Sequence, residues 1–416
     1  MTGVRVVLDA RALQDPDRAP TTSAYLDGLL TGVAERPLDG ESFSLVLDSD
    51  HSDPSDRLRG VPIAARRLLP PTRLLRSAAV AIDPFLIRAA VAGSGWRADR
   101  TGAGGVVYHG VGPSLPIASS MPVVVTLLDL APWELPDRYA ASGPARFGHR
   151  VRRQVIRDAD AVLVGTEAVA RLARRHLRVR PERLHVIRFA PRPAFAAVGI
   201  QQDRARVRDD ARRERQRLGL SERYLVHAGR FDARHDTVTL LKALAALAAA
   251  GRPSGLDAAE TWPPRICVVG ATPADRAAIA RVTVREGVSD FVVYAPALPE
   301  DRLAALVAGA RAVVLAVLTD AAGLAAIDAS AAAVPVVASA VDGLAEIVGP
   351  AGVLVEPGEV DRLATAIATV WSNDEVHAGL VSAARDRLGE APRTWGDVTA
   401  ETRAVWSRVA RPGRLR

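Results

Sequence analysis

Short runs of β-branched and aliphatic residues, spaced by helix-length segments, recur along almost the whole chain. That alternation constrains the fold more than any other feature. Val4–Asp9, Phe43–Leu47, Val106–Tyr108, Pro122–Thr126, Ala161–Val164 and Leu184–Ile187 read as buried strands. Thr21–Leu30, Gly143–Asp158 and Glu167–His176 have helical spacing between them. The pattern breaks at Ala190–Ala194, where two prolines cluster, and across the densely charged Gln201–Arg217, which reads as an exposed helix or linker. It then resumes. Tyr224–Ala228, Arg265–Val269, Phe291–Tyr294, Ala312–Ala316 and Pro335–Ala338 read as strands, with helices at Val238–Ala249, Asp301–Gly309 and Asp361–Trp371. Strand–helix alternation predicts parallel, doubly wound sheets, here in two α/β halves with a polar joint. Ligands of such sheets sit at the carboxyl ends of the strands, often between domains.

Composition narrows the chemistry. A chain of 416 residues is long enough for two or three domains. Aromatic residues are only 4%, so the cores must rest on Ala, Val, Leu and Ile. The single cysteine, Cys267, excludes a disulfide within the chain and a cysteine-based zinc site, and reads as a small buried hydrophobe. The opening residues lack the apolar core of a signal peptide. The longest apolar stretch, Leu303–Ala340, is interrupted by Arg311, Asp320 and Asp328. A cytoplasmic location is therefore expected.

The formal net charge of +7 comes almost entirely from arginine, since Lys242 is the only lysine. Such a surplus favours an anionic partner. Without an RNA-binding signature or basic–aromatic interleaving, no nucleic-acid partner is expected. Ile63–Arg76, Arg146–Arg157 and Arg171–Arg180, all in the first half, are rich in arginine. They are expected to allow peripheral contact with an acidic membrane at the inner face; a solvated helix face is the plainer alternative.

Several segments resemble one family in order and spacing. Gly229-Arg-Phe-Asp-Ala-Arg-His-Asp236 followed by Leu240-Leu-Lys-Ala243 resembles the "GRLDPRKN…LLEA" segment of retaining GT-B glycosyltransferases, glycosyltransferase group 1 or family 4. Leu303–Ala312 resembles their "LAALYRGARA", Asp320–Asp328 their "EGFGLPVLE", Pro335–Ser339 with Gly343–Glu346 their "PVVAS…GLPE", and Gly352–Gly358 their "GLLVPPG". The first half matches at Asp9–Arg11 ("DARPL"), Tyr108–Gly110 ("FHGTN") and Thr126–Leu130 ("TIHDL"), and Trp395 matches the "SW" before the last helix. The resemblance implies two Rossmann-like domains facing across a cleft. It places an acceptor-side domain at residues 1–195, a nucleotide-sugar domain at 196–390, and a helix in 391–416 that crosses back to the first domain.

The implied reaction moves a sugar from a nucleotide diphosphate sugar to a glycan, lipid or small-molecule acceptor, with retention of configuration and without a metal or other cofactor. Its transition state is oxocarbenium-like, so positioning and electrostatics carry the catalysis. Arg230 stands at the family's phosphate arginine, and its fork suits phosphate. His235 stands where the family has a lysine. An imidazole carries that charge only when protonated, and phosphates favour protonation; Arg234 is the other cation available. Asp320 and Asp328 keep the spacing of the family's two glutamates, one methylene shorter. The family's first acid lies near the donor sugar and its second on the ribose hydroxyls. Gly323 and Leu324 open the helix whose backbone N–H groups would cradle phosphate. Glu346 matches the acid near the nucleoside. Asp129 remains from "HDL", as a site group or a strand-end cap, and His109 is a candidate cleft residue.

Other positions depart from the family. Leu128 replaces the histidine of "HDL", and losing one transition-state donor typically costs roughly 2.7–4 kcal/mol. The first loop lacks the glycines of "GIGRY"; Thr21, Thr22 or Ser23 is expected to cap the following helix. These losses together motivate a second reading, a homologue that has kept the fold and lost catalysis, acting as a binding or scaffolding partner. A GT-B epimerase or phosphorylase is a third, disfavoured by the absence of a cofactor-lysine motif.

Overall fold

The computed structural model describes residues 3–70, 79–92, 105–112, 115–140, 142–200, 204–254, 256, 260–388 and 392–410. The chain forms two compact units, residues 1–190 with 393–416, and residues 191–392.

The first unit contains β1 (Arg5–Asp9), α1 (Pro20–Glu35), β2 (Ser42–Asp48), β3 (Ile63–Leu69), α2 (Ala79–Ala92), β4 (Val106–Val111), β5 (Val123–Thr126), α3 (Gly143–Asp158), β6 (Ala161–Val164) and β7 (Leu184–Val186). All pairings are parallel, in the order β3-β2-β1-β4-β5-β6-β7. Ile63–Leu69, expected as part of a basic membrane-contact segment, is the edge strand β3. The rest of that segment, 71–76, lies outside the described residues.

The second unit opens with α4 (Pro193–Ile200) and α5 (Arg204–Arg217). Then follow β8 (Leu225–Ala228), α6 (Thr237–Ala250), β9 (Ile266–Val269), α7 (Pro273–Glu286), β10 (Val292–Tyr294), α8 (Glu300–Ala308), β11 (Ala312–Leu315), α9 (Leu324–Ala331), β12 (Val336–Ser339), α10 (Asp342–Val348), β13 (Gly352–Val355), α11 (Val360–Ser372) and α12 (Asp374–Leu388). Its sheet runs β10-β9-β8-β11-β12-β13, again parallel. Strand order reverses between β8 and β11, the switch point at which open α/β sheets form their ligand crevice.

Strand periodicity divides the second core in two. Leu225, Ile266, Val268 and Val314 face α6 and α11, where Trp371 is buried. Val226, Cys267, Val269, Val313 and Leu315 face the opposite layer with Ala326, Ala329 and Leu344. Neighbouring residues point to opposite faces, so a wholly apolar strand needs helices on both sides. Burial pushes the Cys267 thiol up to about 12, leaving an inert core group.

The last helix, α13 (Trp395–Val409), packs on α1 in the first unit. Thr394 and Asp397 form a capping box at its start. The Thr399 hydroxyl donates to the Leu29 carbonyl at 3.0 Å, and Arg403 grips the buried Glu41 at 2.9 and 2.6 Å. The boundary between units falls at Pro191, not at 196. Residues 192–194 are tied into the second unit: Asp328 accepts from the Arg192 N–H and Nε–H, both at 2.8 Å, and Glu300 accepts from the Ala194 N–H at 3.0 Å. The charged stretch after them is α5, whose Glu214 is buried between Arg302 and Arg217.

Candidate functional site

The second unit's crevice is built by two loops at the carboxyl ends of β8 and β11. Residues 229–236 follow β8, and residues 317–323 lead from β11 to α9. The loops are stitched together. His235 and Val317 form an antiparallel bridge, Leu318 N–H donates to the Arg234 carbonyl at 2.7 Å, and Asp236 N–H to the Ala316 carbonyl at 2.9 Å. Asp236 also accepts from the Gly358 N–H at 3.0 Å, joining the turn after β13 to the same end of the sheet.

Gly229 is required by a close approach. A Cβ there would lie 2.5 Å from Nε2 of His227. His227 is fully buried and donates Nδ1–H to the Val314 carbonyl at 2.8 Å, while its Nε2 lies 3.5 Å from the Thr237 hydroxyl. Burial lowers its pKa to about 4, so it is a neutral prop beneath the loop. Sequence reasoning missed this residue; its position two before the Gly-Arg motif was the available signal.

Arg230 donates Nε–H to Asp275 at 3.1 Å. Asp232, weighed as its alternative partner, holds Arg234 and His235. Asp275 accepts also from Thr272 and from the Phe231 N–H, so the start of α7 orients the arginine. Burial opposes ionisation of Asp275, but Thr272, Phe231 N–H and Arg230 together hold its carboxyl below the usual range.

Asp232 organises the cations. Its Oδ1 lies 2.7 Å from His235 Nδ1 and accepts from the Arg234 N–H at 2.9 Å, and its Oδ2 accepts from the Arg234 side chain at 3.1 Å. Burial would raise this carboxyl, yet the His235 hydrogen bond and charge, with Arg234, pull it well below the usual range. A carboxylate on Nδ1 fixes the imidazole orientation.

Asp320 accepts from the backbone N–H groups of Ala322 and Gly323 at 3.1 and 2.8 Å. Burial pushes its pKa up, against those N–H groups and the charges of His235 and Arg234. Gly323 is the N-cap of α9 with φ +60, and a Cβ there would meet Ile347 at 2.2 Å. Ile327 N–H returns to the Gly323 carbonyl, so the N–H groups of Leu324, Ala325 and Ala326 have no intrahelical acceptor. Arg234, His235, Asp320 and the start of α9 thus form one anion-compatible corner. Glu346, on α10, is half-buried.

Asp328 behaves differently from expectation. Its side chain is only 5% exposed, and both oxygens receive Arg192, whose guanidinium also lies over the Phe195 ring at 4.5 Å. The carboxylate latches residues 192–194 to α9, with each oxygen taken up by Arg192.

In the first unit, Asp129 accepts from the Ala131 N–H at 2.8 Å. Leu128 is buried. His109 is not a cleft residue. It is fully buried, its Nε2 lies 2.8 Å from the Thr126 hydroxyl and its ring 5.5 Å from Trp406, and burial lowers its pKa to about 3. Thr21, Thr22 and Ser23 do not cap α1, which begins at Pro20 after an uncapped Ala19. A pre-set proline φ starts the helix instead. Asp48, Asp50 and His51, at the end of β2, place ligand atoms within 4.8 Å of one another, and a 3.1 Å contact between His51 and Asp50 lies within that group.

Two doubly wound parallel units, the second carrying a phosphate-type corner at its switch point, define the GT-B class. Solved structures agree at the level of the fold. Sucrose-phosphate synthase from Thermosynechococcus elongatus superposes with a TM-score of 0.69 over 98% of each chain at 18% identity. Anabaena Alr3699/HepE in complex with UDP and glucose gives a TM-score of 0.66 at 16% identity, over 97% of this chain and 99% of that one. Residues 222–373 match the family "Glycosyl transferases group 1". The chain has the GT-B fold, and its residues 222–373 carry the group 1 glycosyltransferase domain. It is 30% identical over 213 residues to the D-inositol 3-phosphate glycosyltransferase of Streptomyces scabiei, 49% of this chain and 44% of that protein. It is 34% identical over 126 residues to the MMP alpha-(1->4)-mannosyltransferase of Mycolicibacterium hassiacum, 30% of each. The matches thus span less than half the length of these curated relatives.

Proposed function

We propose that the protein is a glycosyltransferase that takes a sugar from a nucleotide diphosphate sugar and passes it to a glycan, lipid or small-molecule acceptor, retaining the anomeric configuration without a metal. The observation that carries this reading is the loop of Arg230, Arg234 and His235, stitched to residues 316–318 of the segment that leads from β11 to α9. As the anomeric C–O bond breaks, negative charge grows on the departing diphosphate. Fixed guanidinium groups and helix N–H groups stabilise that charge with little reorganisation. His235, oriented by Asp232, adds charge when protonated. Asp320, which accepts from the N–H groups of the turn before α9, is taken as the acid near the donor sugar on the family resemblance. Two relatives named for transfer of sugars, and a neighbour solved with UDP and glucose, support the donor class. Retention rests on the family resemblance.

A second reading, a partner protein without transfer activity, is favoured by one observation: Asp328 is closed off by Arg192. The separating experiment incubates the protein with UDP-, GDP-, ADP- and TDP-sugars in excess chelator and follows release of the nucleoside diphosphate. Release from one donor, abolished in Arg230→Ala, supports the transferase. No release from any donor by folded protein supports the partner.

A further inference from the structure

We propose that the second unit carries a further ligand site, at the amino ends of β11 and β12, for an amphiphile with an apolar body and one anionic head. A cavity of about 700 Å³ opens there. That volume lies within the range of small-molecule sites. Its walls include Ala310, just before β11, and Pro335, just before β12, so it lies at the end of the sheet opposite the Arg230–His235 loop. The helices around it pack on one another: α4 touches α8 and α9, α8 touches α5, and α9 touches α12. Val198 and Ile200 close α4, Val207 stands in the first turn of α5, and Val381 lines the same cavity from α12. Ile200 is 54% exposed and the three valines are half-buried. Covering such side chains removes apolar area from water. Ala333, in the turn after α9, adds a methyl group to the wall. Its φ is +57, a left-handed conformation that glycine adopts freely and alanine only at a cost. The chain thus keeps an apolar group at the cavity where glycine would relax the backbone.

Among the described residues, the charged groups lining the cavity are Arg208 and Arg385, and no carboxylate lines it. His377, Val381 and Arg385 recur every fourth residue on α12 and so share one face. Arg385 is exposed and has no partner among the described residues. His377 places Nε2 3.0 Å from the Arg311 carbonyl, and burial with the charge of Arg311 holds its pKa low, so it adds a polar group without charge. The acids next to these elements are engaged or turned aside. Asp374, one turn before His377, meets Arg311 at 2.6 Å and Arg223 at 3.3 Å, and on α5 Asp209 and Asp210 pair with Arg212 and Arg213. Asp386 follows Arg385 and falls off the shared face. Valine walls with a guanidinium at the rim suit an aliphatic carboxylate, whose chain enters and whose head meets Arg385. A sugar would set hydroxyl groups against walls that return few hydrogen bonds. The inference stands apart from the reading of the phosphate corner.

The test is calorimetric titration of the full chain with octanoate, octanol and butanoate. Octanoate should bind saturably. Butanoate should bind more weakly, by about fourfold for each methylene it lacks. Octanol should lose about fivefold, the worth of a charge pair at an exposed rim. Arg385→Gln should lose about as much for octanoate and nothing for octanol. Val381→Trp, which fills the cavity, should bind neither; Arg385→Gln, at an exposed position, keeps the test independent of any misfolding there. Arg230→Ala should bind octanoate like wild type, since the phosphate corner lies at the other end of the sheet. No octanoate binding by wild type, octanol binding as tightly as octanoate, undiminished octanoate binding in both cavity variants, or an equal loss in Arg230→Ala would each overturn the proposal.

Discussion

Arg192→Ala should destabilise the second unit and leave a pH signature. The Asp328 side chain is 5% exposed and that of Arg192 32%. Burial already raises the Asp328 pKa, and Arg192 is the chief opposing influence. Breaking a buried ion pair from one side typically costs 3–5 kcal/mol, and the third of Arg192 in contact with water reduces that to about 2–3 kcal/mol. Loss of the cation–π contact with Phe195 adds roughly 0.5–1 kcal/mol. A total near 3 kcal/mol lowers the midpoint of a unit of this size by about 6–12 °C. A carboxyl whose folded pKa is raised destabilises the fold at neutral pH, and protonation relieves the cost. Scanning calorimetry should therefore show the deficit narrowing from pH 7.5 to 5, and Asp328→Asn in the Arg192→Ala background should recover part of it. A change under about 1 °C, or a deficit independent of pH, would refute the latch.

Three further outcomes follow from the same geometry. His109 and His227 stay neutral in the fold, at about 3 and 4, while an unfolded imidazole titrates near roughly 6.5. The unfolded chain then binds protons that the native one refuses, so this contribution is complete above that pH and falls as acid is added. Each histidine should remove about 2 kcal/mol between pH 7 and 5, and His109→Gln should flatten the dependence relative to wild type in calorimetric scans. Gly323→Ala forces φ +60 on a side chain that would meet Ile347 at 2.2 Å, costing about 1–2 kcal/mol for the backbone alone. Calorimetric titration should show nucleoside diphosphate affinity falling by about tenfold or more as the α9 N–H groups shift; unchanged affinity would remove that helix from the site. His235→Ala should bind nucleoside diphosphate more weakly than wild type at one fixed pH, by about tenfold for one lost hydrogen bond to a charged phosphate, in calorimetric titration. Equal affinity would remove His235 from the phosphate corner.

The parallel sheets were legible because runs such as Val123–Val125 and Val336–Ala338 are apolar at every position, which a strand covered on both faces requires. β3 was not, because Ile63–Leu69 sets two adjacent arginines between alanines and leucines at an edge, and that charge hid the alternation of its burial. In the site, spacing brought the Gly229–Asp236 loop and the Asp320–Leu324 turn to light. It could not show which partner each charge would take. Asp328 found Arg192, 136 residues away, and Arg230 found Asp275, 45 residues away. Pairings of that range are decided by packing and leave no local signature. His109 and His227 carry the composition of ligands and the environment of a core, and only burial separates the two.

The central claim is that the loop after β8 and the start of α9 hold a diphosphate. The most direct test is a thermal-shift titration of the full chain with UDP, GDP, ADP and TDP in excess chelator, beside Arg230→Ala. A ligand at a hundred times its dissociation constant adds about 2.7 kcal/mol to the native state. The account predicts a rise of several degrees with at least one nucleotide, lost in Arg230→Ala when each protein's shift is taken from its own unliganded midpoint. No shift with any of the four on folded protein, or an equal shift in Arg230→Ala, would contradict it.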